Sequence, residues 1–107
     1  MSAAVTVIPW ERDEVPTEKL IRQLLTDEGL SAHRWSNRPR DVYSAHVHEF
    51  HKVLYVVQGS ITFTLPDDDD AELTLTVGDR LELPPGITHS AVVGPQGVAC
   101  IEAQRWG

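Results

Sequence analysis

From Ser31 onward, apolar residues recur at every second position in short runs closed by turn residues; before Ser31 they recur at helical spacing. Leu20, Ile21, Leu24 and Leu25 fall on one helical face, with Thr17 suited to cap the start and Gly29 the end. This pattern predicts one helix over residues 17–28. Ahead of it, Thr6-Val7-Ile8 is a short β-branched run stopped by Pro9. Behind it, the period-two pattern predicts strands at 31–36, 43–48, 52–58, 61–65, 73–77, 80–83, 89–93 and 98–104. Many short strands with turns between them, and no βαβ rhythm, predict an all-β sandwich or barrel. Residues 1–30 are expected to supply a strand and helix that pack on the barrel, and residues 31–107 the barrel itself.

The strand at 52–58 is apolar on both faces. Val53, Tyr55 and Val57 lie on one side, and Leu54 and Val56 on the other. A strand buried on both sides of so small a barrel needs a cover from outside. The N-terminal segment or a partner subunit can supply it, and a homodimer is expected.

Composition narrows the function without naming it. A chain of 107 residues with 41% hydrophobic and 23% charged residues is one domain of ordinary globular make-up. The net charge of -7 removes the electrostatic footprint of nucleic-acid binding and disfavours anionic membranes, so neither is an expected partner. Cys100, the lone cysteine, sits in an apolar run and reads as a buried free thiol. No signal-like or membrane-length apolar run is evident, and a cytoplasmic location is expected.

Chemistry concentrates in two stretches. His46 and His48, one residue apart on an extended segment, point the same way. His89 follows the Pro84-Pro85-Gly86 corner, whose prolines end the 80–83 strand and rigidify the turn. Neutral imidazole suits Zn, Cu, Fe and Ni. Gly59 and Gly86 are suited to turns that need positive φ or close backbone approach.

The chain from about Tyr43 to Gln104 resembles a small single-domain cupin of the RmlC-like jelly-roll type. His46, His48 and Gly59 fall on the family's first motif, whose Glu is replaced by Lys52 and whose leading Gly is replaced by Arg40. Gly78, Pro84, Gly86 and His89 fall on the second motif, whose closing Asn is replaced by Val93. The resemblance implies a jelly-roll β-barrel with one N-terminal helix and a pocket in its mouth. It further implies His46, His48 and His89 as ligands of one divalent transition metal ion, Fe, Zn, Ni or Cu.

Lys52 leaves three readings open. A three-histidine site can keep open positions while Lys52 turns aside or anchors an anionic substrate. His51 or Glu49 can serve as a fourth ligand. With no metal at all, Lys52 and the histidines can form a cationic pocket for a carboxylate or phosphate. The partner expected in each case is a small molecule, anionic in kind. Activity is correspondingly open: a metal-dependent oxygenase- or isomerase-like reaction on a small anionic metabolite, or binding without catalysis. Strand alternation turns Arg80 and Glu82 outward. The Asp67–Asp70 run reads as a hairpin tip, and Trp35, Tyr43, Phe63 and Trp106 as core or interface aromatics.

Overall fold

The protein is described over residues 5–106 by a computed structural model. Its elements in order are β1 (Thr6–Ile8), α1 (Glu18–Asp27), β2 (His33–Asn37), β3 (Val42–His46), β4 (His51–Leu65), β5 (Ala71–Leu75), β6 (Arg80–Leu83) and β7 (His89–Arg105). Every strand pairing is antiparallel. The ladder runs β1-β6-β4-β7-β2, with β3 added to β7 and β5 added to β4. This is a jelly roll whose seven-stranded sheet, among the described residues, is not closed into a continuous barrel.

Two strands predicted as pairs of short ones prove to be continuous. β4 and β7 pair along most of their length, from His51↔Arg105 to Thr64↔Ser90, with register shifts around Val56–Ile61. On one side of that irregularity β4 pairs with β6, and on the other with β5. Gly86 lies in a turn as read, whereas Gly59 is a bend within a continuous strand, answered by Gly97 on β7. Gly59 (φ 73) and Gly97 (φ 80) take left-handed backbone, and a Cβ built on Gly59 falls 2.0 Å from the Gly97 carbonyl oxygen. The two long strands fold across themselves there and contribute to both layers. Arg40, standing where the cupin motif has glycine, keeps the glycine-like conformation at φ 64, and its N–H donates to Val93 O and Gly94 O.

Between the layers lies the main core, which includes Leu54, Val56, Ile61, Phe63, Leu75, Leu81, Val93 and Cys100. A second cluster forms outside. Ile21 and Leu25 of α1 cover Val53, Tyr55, Ile101 and Ala103, with Trp10, Leu30 and Ala32 around them. The helix thus supplies the cover that the two-faced strand requires. Thr17 caps the helix by accepting from Leu20 N–H at 3.2 Å, and Gly29 follows it at φ 79.

Arg80 and Glu82 face outward as alternation predicts, but the helix roofs that face. Arg80 donates to Glu28 Oε1 and Oε2 at 2.9 and 2.6 Å, to Glu82 Oε2 and to Tyr55 Oη. Its side chain is only 12% exposed, so this is a sheltered two-pronged tie between helix end and sheet rather than a solvated ion pair.

The two glycine classes are separable by experiment. Gly59→Ala places a methyl group in backbone and should cost about 3 kcal/mol or more. Gly86→Ala meets nothing within 4 Å and bears only the cost of its φ of +81, about 1 kcal/mol. Urea unfolding of both variants checks this, and equal losses would remove the special role of the Gly59 bend.

Candidate metal centre

His46 ends β3 and is the register partner of His89, which opens β7; His48 lies just past the strand end. The Pro84-Pro85-Gly86 corner is tied to this segment by the Gly86 N–H, which donates to His48 O at 2.9 Å. The ring centroids are 4.3 Å apart for His46 and His89, 4.8 Å for His46 and His48, and 5.1 Å for His48 and His89. One nitrogen from each ring falls within 4.8 Å of the others, a group able to hold a metal ion.

Hydrogen bonds set which nitrogens face the cluster. His46 Nδ1 lies 2.7 Å from Ser44 O, and His89 Nδ1 lies 2.9 Å from Ile87 O. A carbonyl only accepts, so these Nδ1 atoms carry the N–H and leave the lone pair on Nε2. Buried Nε2 atoms of His48 and His89 find no hydrogen-bond partner. Burial depresses the His89 pKa to about 4, reinforced by His46, Lys52 and His48 and opposed by the Ile87 carbonyl. Burial also lowers that of His48, with Lys52 and His46 adding to it. Burial favours neutral imidazole at His48 and His89, whose buried Nε2 atoms have no protein partner, and with His46 they form a donor set that fits a divalent transition metal. Phe50 stacks on His48 at 4.6 Å and 24°, and Trp106 packs on Phe50 at 5.2 Å.

The histidines open on a cavity of about 280 Å³. Trp35, Tyr43 and Phe63, expected as core or interface aromatics, line it together with Ile61 and Ala91. Lys52 points inward on the same face of β4 as Leu54 and Val56, and its Nζ lies 3.6 Å from Glu102 Oε1. Glu102 also accepts from Trp35 Nε1 at 3.0 Å.

Glu102 is the site residue that sequence reasoning missed. Its signal was nonetheless there: in the run from Val98 to Ala103, alternation places a lone charge on the inward face of Val98 and Cys100. The two residues expected as alternative fourth ligands stand apart from the cluster. His51 Nε2 lies 2.5 Å from Glu82 Oε1 under the helix end, and Glu49 is exposed. Cys100 is buried as expected, and desolvation pushes its thiol up to about 12.

The model of the AraC-like ligand binding domain matches residues 29–101. No curated protein matches the chain. Among solved structures, an RmlC-like cupin from Shewanella frigidimarina superposes with TM-score 0.59 at 29% identity, over 70% of this chain and 64% of its own. The polyketide cyclase RemF from Streptomyces resistomycificus gives 0.61 at 26% identity, over 74% of this chain and 58% of its own. A DUF861 family protein from Thermotoga maritima gives 0.62 at 16% identity, over 92% and 96%. Among the described residues no helix is long and apolar enough to cross a membrane. Strand order, motif positions and the family match agree: the chain belongs to the AraC-like ligand-binding domain family and has the cupin fold.

Proposed function

We propose that His46, His48 and His89 hold one divalent transition metal ion and that the adjoining cavity receives a small organic molecule through an anionic oxygen. The observation that carries this reading is the pair of buried, unpartnered Nε2 atoms on His48 and His89. Buried ring nitrogens without a protein partner call for one, and a metal is the partner that suits several of them at once.

Charge supports the ligand class. Lys52 and Glu102 offset one another inside the cavity, so the pocket by itself holds no surplus positive charge for an anion. That weighs against the metal-free anion pocket. With a divalent ion on three neutral imidazoles, the same pocket carries a net charge of about +2 and favours an anionic donor. When bound, the ion would supply Lewis acidity to the ligand's oxygen.

The chain's own residues then have separable tasks. Phe63, Ile61 and Ala91 give the cavity an apolar wall. Glu102 is placed to accept a proton from the ligand, and Lys52 to hold developing negative charge. This equipment favours an isomerase-like proton transfer over a reaction needing no acid or base. The likeness to a polyketide cyclase at 26% identity is compatible with chemistry of that kind. A second reading, ligand binding without turnover, draws on the family match to a ligand-binding domain.

Tag-free protein reconstituted with Zn2+ should bind about one equivalent, and His46→Ala, His48→Ala or His89→Ala should each weaken binding by about 100-fold or more. Elemental analysis and competition titration read this directly. Wild-type affinity in all three variants would overturn the metal site.

A pH dependence follows for the metal-free protein. The folded state keeps His89 unprotonated down to about pH 4, whereas the unfolded chain takes up that proton near its ordinary value of 6.5. Stability is therefore full above pH 6.5 and is lost as pH falls toward 4, by up to about 3 kcal/mol. Urea titrations across that window should show the slope, and His89→Gln should flatten it. An unchanged slope in the variant would assign the effect to other groups.

A further inference from the structure

The wall of the cavity holds two opposite charges whose presence the fold does not require. Lys52 and Glu102 are 10% and 14% exposed at the side chain, and the neighbouring inward positions on their strands, Leu54, Val56, Val98 and Cys100, are apolar core. Replacing such a buried pair by apolar residues is commonly neutral or stabilising. Two charges kept beside three ligand-ready histidines therefore point to site chemistry.

Their placement is specific. In the β4–β7 register Lys52 stands opposite Gln104 and Leu54 opposite Glu102, so the two side chains meet on a diagonal. Glu102 is held through one oxygen, Oε1, which lies 3.6 Å from Lys52 Nζ and accepts from the Trp35 indole N–H at 3.0 Å. It lines the same cavity as the histidines, yet its carboxylate is not a member of the cluster whose ligand atoms lie within 4.8 Å of one another.

We infer that Lys52 is a charge lock on Glu102: the ammonium holds this carboxylate on the cavity wall, out of the metal's coordination, and removing the lysine hands it to the metal. The inference rests on the three-histidine reading above. An ammonium and a divalent ion compete for one carboxylate, and the ammonium succeeds only while salt bridge and indole hydrogen bond hold the side chain together. The consequence is a choice of ligand. With Glu102 locked, the position that a protein carboxylate would fill stays open to an oxyanion supplied by the bound molecule, a carboxylate or an enolate. The Oε2 of Glu102, which neither contact engages, is the atom left to accept a proton.

Cobalt(II) is the probe, titrated into the full chain with affinity and visible absorption as readouts. Lys52→Met should raise Co2+ affinity at least about tenfold more with Glu102 present than in a Glu102→Gln background, a coupling that pure charge removal does not produce. The visible spectrum should change in Lys52→Met and stay unchanged in Lys52→Met/Glu102→Gln. Lys52→Gln, which still offers the carboxylate a donor and so guards against misfolding, should shift both readouts the same way to a smaller extent. Equal effects in the two backgrounds with constant spectra would show that Lys52 acts by charge alone and would overturn the lock. Wild-type protein that binds no Co2+ through its histidines would overturn the underlying metal reading as well, and that result is recognisable without any Lys52 variant.

Discussion

The backbone crossing at Gly59 and Gly97 is the constraint on which the rest of the molecule depends. β4 and β7 can belong to both layers only if they bend together, and the approach there leaves no room for a Cβ on Gly59. Because they bend, each strand presents residues to the cavity from both sides of the fold. β4 contributes Lys52 before the bend and Ile61 and Phe63 after it; β7 contributes His89 and Ala91 before it and Glu102 after it. Trp35 from β2, Tyr43 and His46 from β3, and His48 just past it complete the pocket. Its walls are as rigid as the ladder, which is what precise ligand placement requires.

Stability and function occupy different faces of the same layer. Outside, α1 buries Ile21 and Leu25 over Val53, Tyr55, Ile101 and Ala103, and Arg80 ties the helix end to the sheet through Glu28. Each buried aliphatic side chain there contributes about 1.5–3 kcal/mol. Inside, the cavity end tolerates what a core would reject: unpartnered imidazole nitrogens and a sheltered ion pair. Such groups cost free energy in the empty pocket. The outer packing offsets that cost, and the alternation of β4 makes the division clean, since Val53 and Tyr55 serve the helix while Lys52 serves the pocket.

Much of this was legible in the chain. Period-two runs gave the strands, Thr17 and Gly29 bracketed the helix, and the cupin resemblance implied that His46, His48 and His89 share one site. What was not legible has physical causes. A glycine at positive φ looks the same whether it reverses a hairpin or bends a continuous strand, so β4 and β7 read as four short strands. Whether the cover over Val53 and Tyr55 is a helix or a second subunit is a tertiary fact that no local pattern encodes. Glu102 shows in the alternation as a lone inward charge, but its role was missed for a third reason. Its partner Lys52 lies on another strand and meets it diagonally, and Trp35 reaches it from a third, so only the assembled register shows the carboxylate in use.

The support given to the histidines bears on what the site accepts. His46 and His89 donate Nδ1–H to the backbone carbonyls of Ser44 and Ile87, not to carboxylates. A carboxylate in that role raises the basicity of the ring and pushes negative charge toward the metal. A carbonyl fixes the tautomer and the ring orientation with less of that effect. The carboxylate that the cavity does contain is held by Lys52 and Trp35 on the wall. An ion seated on these three rings would therefore keep most of its charge unneutralised by the protein. The same two features, neutral carbonyl partners behind His46 and His89 and a restrained Glu102 beside the cluster, leave charge neutralisation to the incoming ligand. Selectivity for an anionic oxygen then follows from what the pocket withholds from the metal more than from any cation it offers the ligand.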